Sequence, residues 1–170
     1  MANYIWRVRK DFVNQDFPLP KEAVSKTKIA IAKNEIPVVL GDYSDRPGDA
    51  TWILKQLIEQ KVDNILYAAL RDENALEDLK NQGAKTGDSF DRHVGGFTGE
   101  QAGKPIKIKG EVLFFGPRWG YENIAAIGFG NNNVLIITPT YEQIRVPETL
   151  KFGPIDPKNY DVFVVKSRVH

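Results

Sequence analysis

PVVLGDYSDRPGDATWILKQL (Pro37–Leu57) is the stretch of this sequence that decides the fold. The apolar run Ile36–Leu40 is short and β-branched at its centre, which is typical of a strand that is buried on both faces. After a polar loop, apolar residues recur at helical spacing between Ile53 and Ile58. A strand that leads through a short loop into an amphipathic helix predicts the first part of an α/β sheet.

The residues that follow predict a second strand and a second helix. Asn64–Leu70 (NILYAAL) is a continuous apolar run, and Asp72–Gly83 (DENALEDLKNQG) has a helical pattern. Asp72 is of a type that caps a helix N-terminus, and Gly83 suits the position just after a helix C-terminus. An earlier helix is predicted from Pro20, because proline suits a first helical turn. Strand, helix, strand and helix with short connections indicate a right-handed βαβ unit.

The second half of the chain has a different, β-rich pattern. From Pro105, apolar and charged residues alternate, as in an antiparallel strand with one exposed face. The stretch 123–140 predicts a hairpin that turns at Gly130–Asn133, because Gly and Asn tolerate positive φ angles. A last buried strand is predicted over Tyr160–Val169 (YDVFVVKSRV). We therefore expect one α/β domain over residues 1–170, with a mixed sheet that has a βαβ first half and an antiparallel β-rich second half. The alternation places four apolar side chains on one face: Ile106, Ile108, Val112 and Phe114.

Composition limits the classes of function. The 170 residues include 23 Lys or Arg and 22 Asp or Glu, a balance that indicates no basic surface for nucleic acid or an anionic membrane. There are no cysteines, which excludes disulfides, thiolate zinc ligands and cysteine nucleophiles. The N-terminus lacks the apolar segment of a signal peptide, and no apolar stretch reaches the ~20 residues that span a bilayer. We expect a cytoplasmic protein that binds neither nucleic acid nor membrane.

The loop between the first strand and its helix is the leading candidate site. Asp42, Asp45 and Asp49 follow the strand, and α/β sheets bind ligands at the carboxyl ends of their strands. Such carboxylates could hold a cation, accept protons or orient a water molecule. In a plainer interpretation, Asp49 caps the helix that begins near Ala50. Asp45 then pairs with Arg46 or another basic residue, and Asp42 is solvated. Spacing alone leaves both interpretations open.

Two further motifs are weaker candidates. His93–Gly99 (HVGGFTG) is either a ligand-facing loop with exposed amides or an irregular turn before the next strand. Lys166, Arg168 and His170 alternate along the last strand and share a face, either as functional groups or as protective charges of an edge strand. His93 and His170 are the only histidines, and no motif such as H-E-x-x-H occurs. No metal site is therefore expected in this chain alone.

Three motifs, in this order, resemble the C-terminal domain of the MlrC-type metallopeptidases, the microcystinase C family. The strand and loop Val38–Gly48 resemble the V-V-L-x-D-x-x-D-N-P-G motif of the family, and Gly95–Gly99 resembles its G-G-K-x-G loop. Gly153–His170 resembles the segment G-I-D-P … V-V-V-K-S-x-x-H-F, with Pro154 inserted. The similarity extends from about Asn3 to the last residue.

The resemblance implies one part of a zinc metallopeptidase. Full-length members carry zinc in an N-terminal α/β domain, with His, Asp and Glu ligands, and hydrolyse peptide bonds in substrates such as linearised microcystin. This chain would be the domain that closes the substrate cleft over the metal, and it would be inactive alone. The implied partners are an MlrC-type N-terminal zinc domain, in the same or a separate chain, and a small peptide-like substrate. A homo-oligomer is left open. Zinc is the cofactor of the full-length family, and tight zinc binding by this chain is not expected.

The motif matches imply roles for individual residues. Two departures from the family concern the substrate, because Arg46 replaces a common Asn and Phe97 replaces a basic residue. An alternative is a standalone module that binds a small ligand, or a partner protein, through the loop Asp42–Thr51. The implied catalytic residues are Asp42, Asp45 and His170, and the implied substrate-binding residues are Arg46, Gly48, Thr51, Gly95, Gly96 and Lys166.

Overall fold

A seven-stranded mixed sheet forms the centre of the protein, in a computed structural model that describes residues 2–8, 17–43 and 48–166. The strands are β1 (Val38–Asp42), β2 (Ile65–Arg71), β3 (Ser89–Val94), β4 (Ile106–Arg118), β5 (Tyr121–Phe129), β6 (Asn133–Thr138) and β7 (Val162–Lys166). Their order in the sheet is β1-β7-β2-β6-β5-β4-β3. The first four in this order are parallel, and the last three are added antiparallel. This arrangement confirms the predicted α/β fold with a mixed sheet.

Four helices accompany the sheet within the described ranges. They are α1 (Ala2–Val8), α2 (Pro20–Ala32), α3 (Trp52–Glu59) and α4 (Glu73–Asn81). The Asp72 carboxylate accepts a hydrogen bond from the amide of Ala75 and caps α4, as predicted. Gly83 follows α4 with a φ angle of 63°, which confirms its predicted place after the helix. No helix in this part of the chain is both long and apolar enough to cross a bilayer.

The last strand of the chain lies between the first two. β1 pairs with β7 from Val38 opposite Val162 to Asp42 opposite Lys166, and β7 pairs with β2 on its other side. β1 and β2 are therefore parallel strands of one sheet, as the βαβ pattern predicts, but they are not neighbours. The connection through α3 crosses over β7. Because β7 lies between β1 and β2, its end lies next to the ends of two strands that are far away in the sequence.

The antiparallel half contains one strand that the sequence did not predict. β3 pairs along its length with β4, from Ser89 opposite Glu111 to Val94 opposite Ile106. His93 therefore lies on a strand, and only the part of the motif after Val94, residues 95–99, forms a loop. The predicted hairpin is confirmed, because β5 ends at Phe129 and β6 begins four residues later.

The two faces of the sheet have separate apolar layers. α2, α3 and α4 cover one face, where buried residues such as Leu54, Leu57 and Leu79 pack together. On the other face, the segment 144–160 packs over β2, β6 and β5. Phe114 belongs to this second layer, so its predicted place on the face of Ile108 is wrong. The physical reason is a register shift in β4, between residues 112 and 114, that turns the following side chains over.

Candidate functional site

The carboxyl ends of the parallel strands bring together residues that are far apart in the chain. Asp42 ends β1 and Lys166 ends β7, and the two are register partners. Arg71 ends β2 at the same edge of the sheet. Parallel strands present their carboxyl ends at one edge, and α/β sheets bind ligands there. This edge, which we call the strand-end edge, contains most of the predicted site residues that the structure describes.

Asp42 and Lys166 form a buried ion pair. The Lys166 Nζ lies 2.8 Å from the Asp42 Oδ2, and both side chains are 1% exposed. The same Nζ donates a hydrogen bond to the carbonyl oxygen of Ala50 at 3.1 Å. The Tyr67 hydroxyl lies 3.4 Å from the Asp42 Oδ2 and 3.4 Å from the Ala50 carbonyl oxygen. Because buried charges are tolerated only when paired and hydrogen bonded, these four groups stabilise one arrangement of the strand ends and the loop.

This geometry corrects one interpretation of Asp42. The residue is 3% exposed, so the expectation that its carboxylate is solvated is wrong. The reason is the neighbouring β7, which supplies a lysine to a carboxylate that would otherwise need water. A direct contact of Asp42 or Lys166 with a substrate would require the pair to open. Their catalytic and substrate-binding roles stay predictions.

Asp49 joins the two loop motifs. Its Oδ2 accepts hydrogen bonds from the amides of Phe97 at 2.8 Å and Thr98 at 3.0 Å, and its Oδ1 accepts one from the Thr98 hydroxyl at 2.5 Å. Its carbonyl oxygen accepts the amide of Gly96 at 2.7 Å. Helix α3 begins instead after Thr51, and no described side chain caps it. Asp49 therefore stabilises the glycine-rich loop. The plainer interpretation, in which Asp49 caps α3, is wrong.

Gly95 and Gly96 are required by close packing between the loops. Their φ angles are 60° and 70°, in the left-handed region that favours glycine. A Cβ atom on Gly95 would lie 2.7 Å from the Asp49 carbonyl oxygen, and one on Gly96 would lie 2.4 Å from the backbone carbonyl carbon of Lys104. A side chain at Gly95 would therefore push the two loops apart, and one at Gly96 would displace the backbone at Lys104.

Gly48 and Thr51 attach the first loop to its surroundings. The Gly48 carbonyl oxygen accepts the amide of Arg71 at 2.9 Å. The amide of Thr51 donates to the carbonyl oxygen of Ala102 at 2.9 Å, and its hydroxyl donates to that of Lys104 at 2.8 Å. The loop backbone is thus bonded both to the end of β2 and to the segment that follows the glycine-rich loop.

Asp72 connects the glycine-rich loop to the start of α4. Its Oδ1 accepts the amide of Ala75 and its Oδ2 accepts the amide of Gly95, both at 3.0 Å. Burial of the carboxyl raises its pKa above the ordinary value of 3.8, although the two amide hydrogen bonds oppose this shift. The nearby Asp49 carboxylate raises the pKa further. The carboxyl is thus held between a helix end and a loop.

The structure can be compared with the predicted site residue by residue. Asp45, Arg46 and His170 lie outside the described residues, and so does the predicted pairing of Asp45 with Arg46. Asp42 and Lys166 contact each other, although the sequence did not predict the pair. The remaining predicted residues lie in the two joined loops: Gly48, Thr51, Gly95 and Gly96.

The sequence analysis did not predict that Tyr67 and Arg71 belong to the strand-end edge. In the apolar run 65–70, Tyr67 is the residue with a polar side-chain group. A buried tyrosine hydroxyl usually has a hydrogen-bond partner. Arg71 is a charge that follows directly on that buried strand. Asp72 was predicted as a helix cap, but its second bond reaches a glycine 23 positions away, which no local pattern indicates.

The described residues do not fit a zinc site. Within the ranges that the structure describes, no three His, Cys, Asp or Glu side chains are placed to hold a metal ion. The Asp42 carboxylate is paired with Lys166, and those of Asp49 and Asp72 accept hydrogen bonds from backbone amides. We therefore assign no metal-dependent step to these side chains.

Comparison with known families identifies the chain. A model of the family described as "MlrC C-terminus" matches residues 46–170. The chain belongs to the MlrC C-terminus family. The matched residues include the glycine-rich loop, β7 and the end of the first loop, so the family match confirms the resemblance inferred from the sequence motifs. No curated protein matches the sequence.

A solved structure shares the fold. The crystal structure of a candidate metallopeptidase from Mesorhizobium sp. BNC1 superimposes with a TM-score of 0.72 over 98% of this chain. The two sequences are 16% identical, so the similarity shows the fold alone. This MlrC C-terminus chain spans 35% of the length of that protein.

Proposed function

We propose that this chain is the C-terminal domain of an MlrC-type zinc metallopeptidase, with residues 1–170 as one domain. It closes a substrate cleft over a metal that an N-terminal domain holds, and it is inactive alone. The substrate is small and peptide-like, and the protein is cytoplasmic. The observation that carries the proposal is the convergence of both family loops and β7 at the strand-end edge. The family match and the metallopeptidase name of the solved relative support it.

In this proposal the strand-end edge is one wall of the cleft. The loops 48–51 and 95–104 are held by buried hydrogen bonds and by glycines that leave no room for side chains. Such a wall is preorganised, because its groups need no rearrangement when a substrate binds. The buried Asp42–Lys166 pair fixes the ends of β1 and β7 relative to each other. Asp45, Arg46 and His170 are proposed to contact the substrate.

The proposal is tested by measuring zinc-dependent peptide hydrolysis by the chain alone, and after addition of an MlrC-type N-terminal domain. We expect activity only on mixing. Asp42→Asn and Asp45→Asn are then expected to lower the activity of the mixture. Asp63→Asn is the control, since Asp63 is exposed and precedes β2, at the opposite edge of the sheet from the strand ends. Hydrolysis by the chain alone would contradict the proposal.

A second candidate is a standalone module that binds a small ligand, or a partner, through the loop Asp42–Thr51. It is favoured by a largely apolar cavity of about 530 Å³ beside this loop, with Leu40, Tyr43 and Trp52 in its wall. This candidate predicts that a panel of small peptides contains one that raises the melting temperature of the chain alone. The rise should grow with the logarithm of peptide concentration above its dissociation constant.

A further inference from the structure

Arg71 lies at the strand-end edge with most of its hydrogen-bonding capacity unused. Its Nε donates to the carbonyl oxygen of Pro139 at 3.3 Å. The two Nη groups donate no hydrogen bond to any described residue, and the guanidinium forms no ion pair with the described carboxylates. Among the described ends of the parallel strands, the other cation is Lys166, which is neutralised by Asp42. The two Nη groups of Arg71 are therefore available to a ligand.

The guanidinium lines a cavity of about 240 Å³ between the start of α4 and the glycine-rich loop. Asp49 and Asp72 also line this cavity, but their oxygens accept hydrogen bonds from loop and helix amides. Glu73 is exposed at the rim, where water screens its charge.

An apolar surface lies beside the charge. Phe97 lines the same cavity and is 53% exposed, so its side chain is accessible to a ligand. The pairing of an unoccupied guanidinium with an exposed aromatic ring suits a ligand in which a carboxylate adjoins an apolar group. The end of a peptide has this chemistry.

We propose that Arg71 binds a carboxylate of the peptide-like substrate and that Phe97 contacts the apolar side chain next to it. The planar guanidinium fork matches the two oxygens of a carboxylate, and the hydrogen bonds would be charge-assisted. This inference rests on the proposed function, because it names the substrate group that the strand-end edge recognises. It makes Arg71 a specificity-determining residue.

The test uses the isolated chain and a matched pair of probes, N-acetyl-leucine and N-acetyl-leucinamide, which differ in the carboxylate alone. Each is titrated into the ¹⁵N-labelled chain while the amide signals of Asn74 and Thr98, which border the cavity, are followed. We expect saturable shifts with N-acetyl-leucine and none with the amide. Arg71→Gln should weaken binding at least about tenfold, and Arg71→Lys should weaken it less because it keeps the charge. Arg145→Gln is the control, since Arg145 is exposed and lies within the segment 144–160, which covers the opposite face.

Three outcomes would overturn the inference: no saturable shift with N-acetyl-leucine, equal shifts with the amide, or unchanged binding by Arg71→Gln. A well-dispersed spectrum of each variant shows that it is folded. The proposed function fails separately, by an absence of hydrolysis on mixing with an N-terminal domain, and this titration requires no second domain. In a mixture that is active, Arg71→Gln should raise KM for substrates with a free carboxylate and leave KM for the amidated substrates unchanged.

Discussion

Lys166 is the residue whose loss we expect to cost the most stability. In a Lys166→Met variant, the Asp42 carboxylate would remain buried without the cation that lies 2.8 Å away. Removal of one partner from a buried ion pair typically costs about 3–5 kcal/mol in the free energy of unfolding, because the remaining charge is uncompensated. Urea denaturation at neutral pH measures this loss.

The double variant Asp42→Leu with Lys166→Met distinguishes two contributions to the free energy of unfolding. One is the cost of a buried charge without a partner, and the other is the net contribution of the intact pair. We expect it to regain most of the lost stability, since apolar replacement of a buried pair is often neutral. Lys80→Met is the control, because it removes an exposed pair with Glu122, for which about 0–1 kcal/mol is expected. Equal losses for Lys166→Met and Lys80→Met would contradict a buried, stabilising pair.

Asp72 should make the free energy of unfolding decrease as pH rises, which is the opposite of the usual effect of a carboxyl group. Burial raises its pKa in the folded protein above 3.8, so ionisation is harder in the folded than in the unfolded state. The stabilising contribution of its protonated form is therefore fully present below pH 3.8 and is lost as pH rises through the folded pKa. Carboxyl ¹³C titration should give a midpoint above 3.8 for Asp72.

Asp91 offers a control of opposite sign for this pH dependence. A hydrogen bond from Lys107 lowers the pKa of the Asp91 carboxyl, so its contribution is present above 3.8 and is lost as pH falls through the folded pKa. Comparison of Asp72→Asn and Asp91→Asn with the unmodified chain across the acid range should give opposite slopes. A midpoint for Asp72 at or below 3.8 would show that its two amide bonds outweigh burial.

At the scale of elements, the glycine-rich loop is specified by its packing as well as by its backbone angles. Gly95 and Gly83 have nearly the same φ, 60° and 63°, but a Cβ on Gly83 would meet nothing within 4 Å. Gly83→Ala should cost about 1–2 kcal/mol for the left-handed backbone alone. Gly95→Ala should cost about 1–3 kcal/mol more, because its Cβ would lie 2.9 Å from the Thr51 Cγ2.

Urea denaturation of the two alanine variants measures this difference directly. In Gly95→Ala, the amide signals of Phe97 and Thr98 should also shift, because their hydrogen bonds to Asp49 depend on the position of the loop. Those signals should not move in Gly83→Ala, whose site follows α4. If the two variants lose equal stability, the close approach of the loops is not a determinant of the fold.

Elements that are marked by residues within their own stretch could be predicted from the sequence. Elements that form only by pairing with a distant strand could not. Helix α4 has its capping Asp72 and its terminal Gly83 within one short stretch, and both were predicted. Ser89–Val94 mixes charged and apolar residues without a clear pattern, and it becomes a strand only through its ladder with β4. The role of Asp49 was missed for a similar reason, since its partners follow almost fifty positions later.

At the scale of the whole molecule, the sequence predicts the mixed sheet but not the order of its strands. Apolar runs show which segments are strands, but the prediction that the run Ile36–Leu40 is buried on both faces is wrong, because β1 is an edge strand and Val39 is 62% exposed. Burial and the choice of neighbours depend on contacts across the entire chain. Nothing near Val38–Asp42 indicates that the last strand lies beside it. The Asp42–Lys166 pair, 124 positions apart, follows from that order and could not be predicted without it.

The central position of β7 predicts how stability is distributed over the molecule. Val164 is fully buried in β7, opposite Leu40 of β1 and Tyr67 of β2. Val164→Ala should lower the free energy of unfolding by about 1–3 kcal/mol, through lost methyl contacts and the space that they leave. In native-state hydrogen exchange, amides of β1 and β2 should lose protection together, because both strands pair with β7.

Strand β3 provides the internal control for this exchange experiment. It lies at the other end of the sheet and pairs with β4. Its amides should exchange through local opening of this edge, with a free energy below that of global unfolding. Val164→Ala should therefore leave the protection of β3 unchanged while that of β1 and β2 falls. If β1 keeps its protection in Val164→Ala, β7 does not couple the first two strands, and the strand-end edge would then lack the rigidity that its proposed role as a cleft wall requires.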